Sequence, residues 1–218
     1  MTTLVIADDH RLVRSTISWA LTRKYGYEVV GQVDSGEKAV VSCRDMQPDV
    51  VLMDIMMPGI GGLEATRKIK ACCEKTQVIA LTGNSDDVIA RQIIAAGAMG
   101  YITKSGDFEE IHRAITTVLR GERYMSNEIA QRIAKASFVE EADKSPFEKL
   151  SERELQTAMM ISRGKRVQEI AETFSVSPKT VNTYRYRIFE KLSLNTDVGL
   201  ALLAVKHNLL EEDLQKLG

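Results

Sequence analysis

The 218 residues include only three cysteines, four prolines and one tryptophan, and neither sign of charge prevails: 29 Lys and Arg face 30 Asp and Glu, a formal net charge of −1. An odd cysteine count at Cys43, Cys72 and Cys73, without metal-ligand spacing, argues against a disulfide framework and fits reduced thiols. No apolar run approaches the roughly 18 residues of a membrane span. The N-terminus enters a strand almost at once, with no basic region or cleavage site ahead of it. A soluble, cytoplasmic protein that does not enter membranes is expected. The near-zero balance gives no global reason to bind nucleic acid, yet it hides an uneven distribution. From Arg163 to Lys191, seven Lys or Arg stand against three Glu, a local cationic footprint in a neutral chain.

What is present begins with Val50-Val51-Leu52-Met53-Asp54, four apolar residues running into a carboxylate ahead of the Pro58-Gly59 break. That reads as a buried parallel strand delivering Asp54 to its carboxyl end, the edge where ligands gather in open parallel sheets. The pattern recurs through the first half. Strands are expected at 4–7, 28–33, 50–54, 77–81 and 100–103, with helices at 36–46, 63–71, 86–96 and 108–120. An amphipathic stretch before Gly26 has Leu12, Ser15, Trp19, Leu21 and Thr22 about a turn apart. These β-α units predict an α/β doubly wound, five-stranded parallel sheet with helices on both faces.

The strand ends carry the chemistry. The first gives Asp8 and Asp9, the third Asp54, the fourth Thr82 and the fifth Lys104. Any one alone reads as a helix cap or a solvated charge. Together, an acid pair, an acid, a hydroxyl and a lysine at four strand ends are hard to explain as capping. Converging carboxylates would repel and raise one another's pKa, and a hard divalent cation relieves this. With no histidine or cysteine read at these edges, oxygen-only ligands with room for water suit Mg²⁺ better than zinc. Asp54, ionised near neutral pH if unperturbed, can then act as a nucleophile toward phosphorus, with Lys104 and Thr82 on the phosphoryl oxygens.

Asp8-Asp9, Asp54 with Met57-Pro58, Thr82-Gly83, and Lys104 preceded by Tyr101 resemble the receiver domain of bacterial two-component response regulators over residues 1–122. The resemblance implies that Asp54 takes a phosphoryl group from a sensor histidine kinase or its phosphotransfer domain. It further implies that Asp8, Asp9, Asp54 and the Met56 carbonyl hold Mg²⁺, and that Thr82 and Tyr101 switch position afterwards.

Beyond residue 122, helical spacing over 122–136 puts Ile129, Ile133 and Ala136 on one side, and the polar, acidic stretch 137–147 with Pro146 reads as a tether. A linker is expected at 123–147, a second domain at 148–211 and a tail at 212–218. Ser151 with Glu154 is a capping box opening a helix with Leu155, Met159 and Ser162 inward. Val167, Ile170, Ala171 and Phe174 mark a second helix. After a three-residue turn, Ser177-Pro178 opens a third, with Val181, Tyr184, Ile188 and Leu192 inward. This is a helix-turn-helix. On the third helix, Asn182, Thr183 and Tyr186 suit base edges, while Lys179, Thr180, Arg185, Arg187 and Lys191 suit phosphate oxygens. A last helix over 197–210 is expected to turn Val198, Ala201, Leu202 and Val205 inward. Leu200, Leu203 and Ala204 then remain as apolar surface for a dimer contact.

Leu150-Ser151-Glu152-Arg153-Glu154 and Ser177-Pro178-Lys179-Thr180-Val181-Asn182 resemble the all-α, four-helix LuxR-type DNA-binding domain. The two halves together are similar to NarL/FixJ-type response regulators, and the run from Ser177 to Arg187 to their GacA/UvrY branch. The resemblance implies a phosphorylation-dependent regulator that binds double-stranded DNA, dimerises when phosphorylated and has RNA polymerase as a further candidate partner. The rival is a Mg²⁺-dependent phosphatase of the haloacid dehalogenase type. There the nucleophile precedes the acid pair, the reverse of the order here.

Overall fold

The computed structural model describes residues 1–57, 59–83, 87–104, 107–137, 145–207 and 209, without the side chains of 87, 88, 132, 133, 135–137 and 152. Pro58, the side chains of Ile133 and Ala136, most of the expected tether and the expected tail lie outside what is described. The chain divides into two compact units, Met1–Ile133 and Ala134–Gly218.

The first unit runs β1 (Thr3–Ala7), α1 (Arg11–Tyr25), β2 (Glu28–Val33), α2 (Gly36–Met46), β3 (Val50–Asp54), α3 (Gly61–Cys72), β4 (Gln77–Thr82), α4 (Asp87–Ala95), β5 (Gly100–Thr103), α5 (Phe108–Leu119) and β6 (Tyr124–Met125). A helix α6 (Asn127–Ser137) crosses the division. The strands are ordered β2-β1-β3-β4-β5-β6 and every pair is parallel. Side chains alternate between the two faces of the sheet. Leu4, Ile6, Val50, Leu52, Ile79, Leu81 and Ile102 join Ile17, Leu21, Ile111, Ile115 and Val118 of α1 and α5 in one core. Val5, Ala7, Val51, Met53 and Val78 join Ala39, Val40, Cys43, Ala65 and Ile69 of α2 and α3 in the other. Because both faces are covered, β3 is buried along its length and reads as an unbroken apolar run. The strand order reverses between β1 and β3, which opens a crevice at their carboxyl ends.

The sheet has six strands where five were expected. Helical spacing predicts one helix over 122–136, yet Tyr124 and Met125 pair with Gly100 and Tyr101, and α6 starts only at Asn127. The open edge of β5 takes these residues through Tyr124 N–H to Met99 C=O at 2.9 Å and Ser126 N–H to Tyr101 C=O at 3.1 Å. Two residues are too short for any periodic signal.

α1 also turns differently. Ile17, Ala20 and Leu21 face the core, while Leu12 and Trp19 are 80% and 68% exposed. The helix spends its branched residues on the sheet, each worth about 1.5–3 kcal/mol of burial, and leaves its largest ring outside.

In the second unit a 3-10 turn, Pro146–Lys149, leads into α7 (Glu152–Ser162), α8 (Val167–Phe174), α9 (Pro178–Leu192) and α10 (Asp197–Lys206). Phe147, expected within the tether, is fully buried and meets His207 edge-on at 6.1 Å between centroids, so this domain's core begins before Leu150. Leu155, Met159, Ile170, Phe174, Val181, Ile188 and Leu192 are buried as the spacing predicts, with Tyr184 half-buried. The face of α10 is the reverse of the expected one. Leu200 and Ala204 are buried, whereas Val198, Leu202 and Val205 are exposed. Seven of the eight residues from Val198 to Val205 are apolar, so periodicity alone does not select a face.

Candidate functional sites

The first site lies at the crevice between β1 and β3. Asp8 follows β1 and is fully buried, and Asp54 ends β3 with 2% of its surface exposed. Lys104, just past β5, sets its Nζ 2.8 Å from Asp8 Oδ2 and 2.7 Å from Asp54 Oδ2. One cation thus bridges two carboxylates that would otherwise repel at close range. The Lys104 N–H also donates to the Thr82 carbonyl at 2.6 Å, which ties the ends of β4 and β5 together. Met56 N–H donates to Asp54 Oδ1 at 3.0 Å, and His10 N–H to Asp8 Oδ1 at 2.8 Å. Arg14 donates to the Asp8 carbonyl.

Burial sets the electrostatics. It pushes the Asp54 carboxyl up to about 6, with the Asp8 charge acting in the same direction and Lys104 and the Met56 N–H resisting. Burial opposes the charge on Lys104, but Asp54 and Asp8 outweigh it and hold its pKa above the ordinary lysine value. Despite their short ion pairs, Asp8 Oδ2 and Asp54 Oδ2 are buried without an aligned hydrogen-bond partner. Asp9 is exposed beside them, and one donor atom each from Asp8, Asp9, His10 and Asp54 lies within 4.8 Å of the others. An acidic cluster with two orphaned buried oxygens has the donor set of a hard cation.

Thr82 is 2% exposed at the end of β4 and stands opposite Thr103 in the register. Tyr101 lies on β5 two residues before Thr103 and is fully buried. Gly62 leaves no room for a side chain against the acceptor's main chain: a β-carbon there would lie 2.0 Å from the Asp54 carbonyl oxygen. Sequence reasoning passed over His10, whose Nδ1 sits 2.8 Å from Asp9 Oδ1, and Arg14. Their signal was adjacency, His10 directly after the acid pair and Arg14 one turn further on.

The second site is the outer face of α9. The chain turns at Ser175, which takes a left-handed φ of 54°, and Ser177 Oγ caps α9 by accepting from Thr180 N–H at 3.1 Å. Such a cap is worth about 1 kcal/mol. Lys179, Thr183, Tyr186 and Arg187 are exposed, with Asn182 and Thr180 half-buried. The spacing of 179, 182, 183, 186 and 187 puts these five on one stripe of the helix. Two of the expected phosphate contacts are engaged elsewhere. Arg185 forms a two-pronged pair with Asp197, Nε to Oδ1 and Nη2 to Oδ2, both at 2.7 Å, and packs over Phe189. Lys191 Nζ lies 2.6 Å from Glu154 Oε2, the carboxylate that also accepts from Ser151 N–H at 2.7 Å in the capping box of α7. Burial works against the Glu154 charge, but Lys191 and the Ser151 donors prevail and lower its pKa.

Comparison with known proteins agrees with this geometry. Residues 4–116 match the response regulator receiver domain, and residues 148–204 match the bacterial regulatory proteins of the luxR family. The response regulator GacA of Pseudomonas viridiflava is 49% identical over 211 residues, covering 97% of this chain and 99% of the relative. The response regulator UvrY of Escherichia coli K12 is 46% identical, covering 96% of each. The fold is shared with RcsB of Salmonella enterica serovar Typhimurium, solved on promoter DNA with a phosphomimetic, at 23% identity and a TM-score of 0.67 over 93% of this chain and 97% of that one. The chain therefore belongs to the response regulators, a receiver domain followed by a LuxR-family regulatory domain, and the relatives that match it over nearly its whole length include GacA and UvrY.

Proposed function

We propose that the protein is a phosphorylation-dependent transcription regulator of the cytoplasm, in which Asp54 accepts a phosphoryl group from a sensor histidine kinase or its phosphotransfer domain. The observation that carries this reading is the pair of buried carboxylates, Asp8 and Asp54, held at a sheet edge by Lys104 with two oxygens left without an aligned donor. Asp8, Asp9, Asp54 and the Met56 carbonyl would hold Mg²⁺, which when bound supplies positive charge to the acceptor and to the phosphoryl oxygens. Asp54 attacks phosphorus, the bond from phosphorus to the donor imidazole nitrogen breaks, and the nitrogen keeps the electron pair. An acyl phosphate remains. Lys104 then faces more negative charge than before, and the Thr82 hydroxyl donates to a phosphoryl oxygen. Thr82 moving inward opens space beside the already buried Tyr101, and repacking of that ring changes the face built from α4, β5 and α5.

The output is double-stranded DNA, supported by the LuxR-family match and by the promoter complex of the RcsB neighbour. Asn182, Thr183 and Tyr186 would read base edges from α9, with Lys179, Thr180 and Arg187 on phosphates. Arg185 and Lys191 reach phosphates only by leaving Asp197 and Glu154. The exposed Val198, Leu202 and Val205 of α10 fit the contact of a phosphorylation-induced homodimer, and RNA polymerase is the partner on the promoter. Turnover of phosphate esters has no place in this reading.

A small-molecule phosphodonor tests it. The native chain takes up one acid-labile phosphoryl group and Asp54→Asn takes up none; full labelling of that variant would reassign the acceptor.

A further inference from the structure

At the far end of α3 from the acid pocket, two adjacent cysteines stand with their sulfurs together. Cys72 is the last residue of α3 and is exposed, while Cys73 is its C-cap and 2% exposed. Their Sγ atoms are 3.3 Å apart. Gln47 Nε2 donates to Cys73 Sγ at 3.6 Å, and Cys43 belongs to the same core cluster as Cys73. We propose that Cys72 and Cys73 form a chelating dithiol site for trivalent arsenicals and kindred soft, pyramidal metalloid ions.

Three arguments select that ligand class. Neighbouring Cα atoms are about 3.8 Å apart, below the usual disulfide range of about 4.4–6.8 Å. A disulfide between them is strained and easily reduced, so the pair persists as two thiols where a more distant pair would close. A tetrahedral zinc ion with bonds of about 2.3 Å needs its sulfurs roughly 3.8 Å apart and two further ligands. The observed separation is narrower, and among the described residues no cluster of potential metal ligands includes these cysteines. Arsenic(III) bonds at close to right angles and needs only two thiolates beside its own substituent, which is what this helix end presents. Soft thiolates also select against the hard ions favoured by the acid pocket.

The roles of the three thiols differ. Cys72 is open to reagent, so it bonds first, and the second bond to Cys73 is then intramolecular. Burial and the neighbouring Cys72 sulfur hold the Cys73 thiol above its ordinary pKa with the Gln47 N–H opposing, so its proton leaves only as the second bond to arsenic forms. Cys43 is fully buried, and burial pushes its thiol up to about 12, so it stays protonated behind the site. The step balances without an oxidant. An arsenoxide and two thiols give a cyclic dithioarsonite and one water: two S–H bonds and the arsenic–oxygen bond break, two As–S bonds form, and arsenic remains trivalent.

The test uses the full chain and phenylarsine oxide, read by intact mass and by titration. One equivalent binds with the loss of one water, survives excess 2-mercaptoethanol and is released by 2,3-dimercaptopropanol. Cys72→Ser weakens binding by about 100-fold or more, the advantage of a linked second ligand. Cys43→Ser leaves binding unchanged, and labelling at Asp54 by the phosphodonor confirms that each variant is folded. No adduct on the native chain would overturn the proposal, as would an adduct stripped by monothiol or equal binding by Cys72→Ser.

Discussion

The two sites keep their charges in opposite ways. In the receiver, Asp8, Asp54 and Lys104 are withdrawn from water and compensate one another, and Asp54 and Lys104 both hold their protons more tightly than the free groups do. On α9 the working groups are spread over an exposed face, and its two best-paired cations, Arg185 and Lys191, are tied to neighbouring helices. Burial stores reactivity, and exposure leaves a surface that reads a partner through many weak contacts. The same side-chain types thus take different roles according to how much water reaches them.

The comparison breaks most visibly at Lys104. Lys104→Met leaves Asp8 and Asp54 facing each other without their cation and should cost about 3–5 kcal/mol at pH 7.5. Urea unfolding at pH 5 should show a smaller loss, because Asp54 is then protonated; equal losses at both pH values would mean that the pair is not electrostatically coupled. The next effect belongs to Asp54 itself. Its folded pKa of about 6 lies above the ordinary 3.8, so the folded state holds the proton more tightly and stability falls as pH rises from about 4 through 6. The shift corresponds to about 3 kcal/mol, and Asp54→Asn should remove that slope from a pH series of denaturation midpoints.

The exposed site gives smaller numbers. Asn182→Ala should cost about 1–3 kcal/mol at particular base positions while sparing random DNA, measured by competition binding with single-base variants of the operator. Smallest is the contrast between two arginines. Arg187→Ala should flatten the salt dependence of binding by about 0.9 in the log–log slope. Arg185→Ala should leave that slope unchanged and lower domain stability by no more than about 1 kcal/mol, because its pair with Asp197 is partly exposed. A slope change for Arg185 equal to that for Arg187 would put both on phosphates.

Much of this was legible from the residues. Parallel strands covered on both faces announce themselves as apolar runs, and those of β1, β3 and β5 lead directly to Asp8, Asp54 and Lys104, which meet in the crevice. Helix faces were harder to read. Trp19 and Leu12 stand on the outer side of α1, and α10 is apolar nearly all round, so which residues were inward depended on neighbours that a sequence does not display. β6 is a two-residue strand created by the open edge of β5. The fate of Arg185 and Lys191 could not be read either, since Asp197 and Glu154 lie 12 and 37 positions away and spacing on one helix carries no record of them. Nor did the ordinary acidity of aspartate announce a carboxyl raised to about 6, because the shift comes from walls that only the fold builds.

The close approach at Gly62 has a consequence for how the acceptor can be tuned. With the Asp54 carbonyl oxygen 2.0 Å from where a β-carbon would sit, and Ile55 Cα 2.8 Å away, α3 rests on the acceptor's peptide unit with no side chain as a cushion. A single methyl group added at this point would force α3 or the end of β3 to shift, and so reshape the pocket without adding or removing a charge.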